Sequence, residues 1–144
     1  MREALKQAFN AYEEDEVPVG CVIVYKGDII SRAYNMMRRL KDPTAHAEML
    51  AITAASEKLA NERLTGADLY VTIEPCIMCA GAIVLARLKR VIFAADDPKA
   101  GAFGSVFNIN EGRRLNHTPE VISGNLEKEA REVIRKFFVE KRKK

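Results

Sequence analysis

The passage from Leu69 to Leu88 constrains this chain more than any other. Leu69, Val71 and Ile73 alternate along a short strand. At Pro75 the pattern switches to helical spacing, through Ala80, Val84 and Leu88. Pro75 needs no amide partner at a first helical position. Directly after it stand Cys76 and Cys79, three residues apart and so on one helix face, where both can grip one ion. The free amides and the positive dipole end of a helix favour thiolate over thiol.

The rest of the chain reads in the same alternating way. Leu5, Ala8, Phe9 and Tyr12 predict an opening amphipathic helix. Val17 to Tyr25 is a continuous apolar run, read as a buried strand; Lys26-Gly27-Asp28 is its turn and Ile29 to Tyr34 the return strand of a hairpin. A second helix is predicted from Asp42-Pro43-Thr44, with Asp42 or Thr44 as cap, running through Ala47, Ala51 and Ala54 to about Ala60. Val91-Ile92-Phe93 is a fourth strand and Val121-Ile122 part of a fifth. Leu126, Ala130, Val133, Ile134 and Phe137 mark a last helix. Residues 1–144 are read as a single domain with a three-layer α/β/α fold around a mixed sheet of about five strands. Right-handed crossovers put the second and third helices on one face, with their openings at one edge of the sheet.

The second helix opening carries His46-Ala47-Glu48. His46, Cys76 and Cys79 offer one imidazole and two thiolates, which balance a dication in charge. Three protein ligands leave the fourth tetrahedral position open, as in a catalytic zinc site; a structural site is usually closed by four. Zinc lowers the pKa of a bound water to about 7. Glu48, two residues after the histidine, is then the carboxylate placed to move protons without ligating the metal, a role typically worth about 10² to 10⁴ in rate. Other residues near the site have plainer readings. Cys21 is a small core residue, Glu74 a bridge to a neighbour, His117 a loop-packing group and Asn35 a turn residue. Phe137 and Phe138 are helix-packing residues.

Composition sets the outer limits. The net charge of +3 permits an anionic partner without demanding one. Three cysteines are poor material for a disulfide framework, which favours a reducing compartment. With no apolar h-region at the N-terminus and no run long enough to span a bilayer, a cytoplasmic protein without membrane attachment is expected. Arg131, Arg135, Lys136, Lys141, Arg142, Lys143 and Lys144 crowd the end of the last helix, and Arg38, Arg39 and Lys41 flank the loop before His46. Such clusters suit phosphates, and also suit a helix C-terminal dipole.

H-x-E together with P-C-x-x-C resembles the signature of the zinc nucleobase deaminases. Around it, Glu16-Val17-Pro18-Val19-Gly20, Asn35, Asp42-Pro43-Thr44-Ala45-His46-Ala47-Glu48 and Thr72 through Ala82 resemble the bacterial tRNA adenosine deaminases. So do Asp97, Lys99-Ala100-Gly101, Gly104-Ser105, Leu115-Asn116-His117 and Phe137-Phe138 with the basic residues after them. The resemblance implies hydrolytic conversion of adenosine to inosine at the wobble position of a tRNA anticodon, with one zinc ion per subunit and a homodimer whose site lies near the subunit interface. It implies that Asn35 holds the purine, that Val19 and the backbone around Ala45 line the pocket, and that Asp97 and Lys99 sit on a loop approaching the RNA. Met36-Met37 and the extra acid and proline of Asp96-Asp97-Pro98 depart from the pattern in those loops. A free-base or nucleoside deaminase, for cytosine, guanine or cytidine, shares the same zinc set and is the alternative. A zinc-stabilised RNA-binding module without chemistry has no use for Glu48.

Overall fold

A computed structural model describes residues 1–143. Its elements, in chain order, are α1 (Arg2–Glu13), β1 (Gly20–Tyr25), β2 (Asp28–Tyr34), α2 (Met37–Leu40), α3 (Ala47–Leu59), β3 (Asp68–Ile73), α4 (Ile77–Leu85), β4 (Arg90–Ala95), β5 (Glu120–Ser123) and α5 (Glu127–Arg142), with a 3₁₀ turn at Glu111–Arg113. The strands form one sheet in the order β2-β1-β3-β4-β5. β1 is antiparallel to both β2 and β3, whereas β3, β4 and β5 run parallel. α3 and α4 touch each other, as do α1 and α5.

Strand alternation divides the core. Cys21, Ile23, Leu69, Val71, Val91 and Phe93 pack with Ala47, Ala51 and Ala55 of α3 and with Ala80 and Ile83 of α4. Ala94 and Ala95 pack instead with Ala130 of α5. The small side chains bring helices close to the sheet. At Gly20 a Cβ would stand 2.0 Å from the Ala4 carbonyl oxygen and 2.4 Å from the Ala8 nitrogen, so only glycine admits α1 here. The mixed five-stranded sheet is the one expected from the sequence, and the two long helices after the hairpin share a layer as the crossover rule requires.

Several boundaries differ from those expected. β1 begins at Gly20, not Val17, since Pro18 has no amide to donate and the Val19 carbonyl accepts the Asn35 amide in a loop contact. α3 begins at Ala47 rather than near Asp42. The Asp42 carboxylate accepts the Thr44 amide at 2.8 Å and the Thr44 hydroxyl at 2.7 Å, which closes a turn before the helix instead of capping it. α2, only four residues long, has no sequence periodicity to reveal it. α4 starts at Ile77 with Cys76 at its N-cap and ends at Leu85, so Pro75 precedes the helix and Leu88 is buried beyond it.

Candidate active site

Because β3 and β1 are neighbours, the helix openings that follow the hairpin and β3 meet at one edge. His46 occupies the N-cap of α3 and Cys76 the N-cap of α4, and neither makes a side-chain capping bond. Positions that ordinarily hold Ser, Thr, Asp or Asn are given to potential ligands. Cys79 lies one turn into α4 and is fully buried. His46 Nδ1 is 3.6 Å from both Cys76 Sγ and Cys79 Sγ. A zinc ion about 2.3 Å from a sulfur and about 2.1 Å from a ring nitrogen, at a tetrahedral angle, sets that separation at about 3.6 Å. The three ligand atoms lie within 4.8 Å of one another, so the cluster fits the ion.

The electrostatics agree. The Cys76 thiolate is held down to about 3 by the Cys79 thiol that donates to it, against its own burial, with help from His46 and the Cys79 amide. Cys79 keeps the shared proton and is pushed up by that bond, by burial and by Glu48. His46 is raised by its bond to Cys76, against partial burial. The pair thus holds one proton more than two thiolates would, and a dication displaces it. Glu48, in the first turn of α3, is 3 % exposed. Burial raises its carboxyl to about 7, outweighing its backbone hydrogen bond and the neighbouring His46. A carboxyl near neutrality can both take and give a proton under working conditions.

A pocket of about 190 Å³ lies over the cluster. His46, Glu48 and Cys76 line it together with Val19, Asn35 and Asp97. Val17, Met37, Ala47, Ile73, Glu74 and Ala100 complete the wall. Ala45, expected in the lining, is not part of it; it is buried, its amide donating to the Asp42 carbonyl and its carbonyl accepting from the Met36 amide. Lys99 lines an adjoining groove of about 690 Å³, which shares Val17, Val19, Ile73 and Asp97 with the pocket and is walled on its far side by α5. Asn35 is 5 % exposed; its Nδ2 donates to the Val17 carbonyl at 3.2 Å and its Oδ1 accepts the Met37 amide at 3.2 Å. One amide hydrogen and one oxygen lone pair remain for a ligand.

Two buried acids brace the segments around this pocket: Glu16, to which the sequence assigned no role of its own, and Glu74, read there as a bridge to a neighbour. Glu16, 1 % exposed, accepts the amides of Arg38 at 3.0 Å and Arg39 at 2.8 Å, capping α2 from outside it. Glu74 collects donors from the loop after β4. Their burial is the signal, and no local periodicity announces it. The basic residues are also less free than composition suggests. Arg38 pairs with Asp15, Arg39 with Glu14, Arg131 with Glu127, Arg135 with Glu132 and Lys141 with Asp15. Lys144 lies outside the described residues.

Fold and site together are those of a zinc-dependent deaminase. Residues 1–95 match the cytidine and deoxycytidylate deaminase zinc-binding region. The chain is 50% identical over 144 residues to the tRNA-specific adenosine deaminase of Bacillus subtilis (strain 168), covering 100% of this chain and 89% of that one. It is 51% identical over 138 residues to that of Aquifex aeolicus (strain VF5), covering 96% and 91%. A solved tRNA A34 deaminase, from work on A-to-I editing at the wobble position of transfer RNA, superposes with a TM-score of 0.90 at 49% identity, covering 92% of this chain and 96% of that one. The chain belongs to the tRNA-specific adenosine deaminase family.

Proposed function

We propose that the protein deaminates adenosine to inosine at the wobble position of a tRNA anticodon, with His46, Cys76 and Cys79 as zinc ligands and Glu48 as proton carrier. The observation that carries this reading is the pairing of the small pocket with the larger groove beside it. The pocket takes a base; the groove, lined by Lys99, Lys128, Arg131, Arg135 and the apolar Ile134 and Phe138, suits the strand attached to that base. The ion pairs on α5 are surface pairs worth about 0–1 kcal/mol each, so exchange of a carboxylate for a phosphate costs little. A loop nucleotide needs little unpairing before it is splayed into such a pocket.

Zinc, when bound, activates water for attack at neutral pH. The chain's own residues do the rest. The Glu48 carboxylate takes the proton from the attacking water and delivers it to N1 of the purine. It then takes the second proton of that water, from the oxygen now on C6, and passes it to the exocyclic nitrogen, which leaves as ammonia while the C6 carbonyl forms. Its burial keeps bulk water from competing and raises its affinity for protons. Asn35 offers its remaining amide hydrogen and lone pair to the base edge, while Val19 and Ile73 supply apolar wall.

The same reading includes a homodimer. α4 turns Ile77 and Leu85 outward, 53% and 76% exposed, and Val106 and Phe107 are exposed on a neighbouring loop. That apolar surface favours a second copy of the chain. A cytoplasmic setting fits the three free cysteines. No helix among the described residues is long and apolar enough to cross a membrane.

Purified zinc-loaded protein offered an anticodon stem-loop with a wobble adenosine, beside free adenosine, guanine, cytosine and cytidine, should release ammonia and form inosine only in the stem-loop. Turnover of a free base or nucleoside with an untouched stem-loop would overturn the substrate and leave the zinc chemistry. Sedimentation of Leu85→Lys should show a monomer; an unchanged dimer refutes the assigned face.

A further inference from the structure

We propose that Glu74 is a positioning residue: its buried carboxylate fixes loop 96–105 against the ligand turn and so sets the wall along which the substrate strand lies. This rests on the RNA reading given above. Glu74 follows β3 directly and stands two residues before Cys76, yet it bonds to neither the ligands nor Glu48. It is 1 % exposed. Its Oε1 accepts the Asp97 amide at 3.1 Å and the Ser105 hydroxyl, and its Oε2 accepts the amides of Phe103 at 3.0 Å and Ser105 at 3.2 Å.

The surroundings are built to this group. At Gly101 a Cβ would stand 2.3 Å from the Glu74 carboxyl carbon and 2.4 Å from each oxygen. The same loop is sewn to the ligand turn, since the Ala102 amide donates to the Pro75 carbonyl at 2.9 Å and Gly101 bridges to Cys76. From Asp97 the order propagates outward. Its Oδ1 accepts the amides of Lys99 at 3.0 Å and Ala100 at 3.2 Å. Asp97 and Ala100 line the pocket, and Lys99 lines the groove. Besides its own place in the pocket wall, Glu74 thus acts on the groove-side stretch through the Asp97 amide.

Four donors face the two carboxyl oxygens, and three of them are backbone amides that can only donate. A glutamine in its place has one oxygen. That oxygen stays with the Phe103 and Ser105 amides, which can only donate. The glutamine NH₂ then meets the Asp97 amide donor to donor, while the Ser105 hydroxyl turns to accept. Glu74→Gln therefore releases the Asp97 end of the loop and keeps the other.

The test uses zinc-loaded Glu74→Gln and Gly101→Ala, the second displacing the carboxylate from the opposite side. Glu74→Gln is nearly isosteric, so it carries the test if Gly101→Ala does not fold. Amide hydrogen exchange should quicken about tenfold or more at 97, 99 and 100 while 103 and 105 stay protected. KM for the wobble-adenosine stem-loop should rise about tenfold, with kcat changed far less and zinc content unchanged. Unchanged KM despite faster exchange, or a kcat loss at constant KM, overturns the positioning role. Wild-type protein that leaves the stem-loop untouched refutes the RNA reading instead. The exchange measurement then decides alone, and equal protection at 97, 99 and 100 in Glu74→Gln and wild type overturns the brace.

Discussion

Glu48→Gln should make the metal-free protein more stable while abolishing its chemistry. The carboxyl is almost fully buried, and burial raises it from an ordinary 4.5 to about 7. The unfolded chain therefore releases this proton before the native state does. Native stability contributed by the protonated group is complete below about pH 4.5 and lost as pH rises through about 7. Above that, the fold carries a buried carboxylate at a cost of about 3 kcal/mol, from the 2.5-unit separation at about 1.4 kcal/mol per tenfold. Glutamine is neutral at every pH and escapes the cost. For a chain of 144 residues, with about 2.1 cal/mol/K of unfolding entropy per residue, that is about 10 °C in Tm. Thermal unfolding followed by circular dichroism, in chelator, should show Glu48→Gln melting about 10 °C above wild type at pH 8. The gap should close towards pH 4.5. In the zinc-loaded enzyme the same variant should lose about 10² to 10⁴ in turnover. A variant that melts with or below wild type at pH 8 would mean that burial does not govern this carboxyl, and the reasoning behind its proton-carrying role would fall with it.

Further expectations are simpler. Gly20→Ala forces α1 off the sheet and should lower stability by about 3 kcal/mol, read from the urea midpoint. Glu16→Gln faces two amides with only one acceptor oxygen and should lose about 1–3 kcal/mol by the same measurement, with the loss absent if α2 is capped otherwise. Cys79→Ser should reduce zinc per chain well below one in metal analysis of dialysed protein. Asn35→Ala should raise KM more than it lowers kcat in stem-loop kinetics, and an unaltered KM would return Asn35 to a purely local role.

The parts of this molecule that were legible in the sequence are those with a period or a ligand chemistry. The switch at Pro75 located β3 and α4, and His46, Cys76 and Cys79 lie together in the structure at the two helix openings. What was illegible depends on contacts between distant segments. Nothing near Glu16 says that its carboxylate caps a helix more than twenty residues later, because α2 is too short for a pattern and Met36 at its N-cap has no capping group. The start of α3 was misplaced because Asp42-Pro43-Thr44 satisfies the local rules of a helix cap yet closes a turn instead. Glu74 was read as a bridge, but its partners were hidden for the same reason: its four donors come from residues 97 to 105, which the sheet topology brings back alongside it. The basic clusters were visible, but their acidic partners just after α1 and on α5 were not.

α4 is nine residues long and has work on both sides. Inward it presents Cys79, Ala80, Ile83 and Val84, with Cys76 at its cap; outward it shows Ile77 and Leu85. So short a rod has no slack to turn one face without turning the other. A shift of the helix at one face is a shift at the other, and any coupling that results is reciprocal. In the proposed homodimer, loss of the ion should loosen self-association by the same factor by which dissociation loosens the ion, and dilution and chelation would then be two routes to one inactive state.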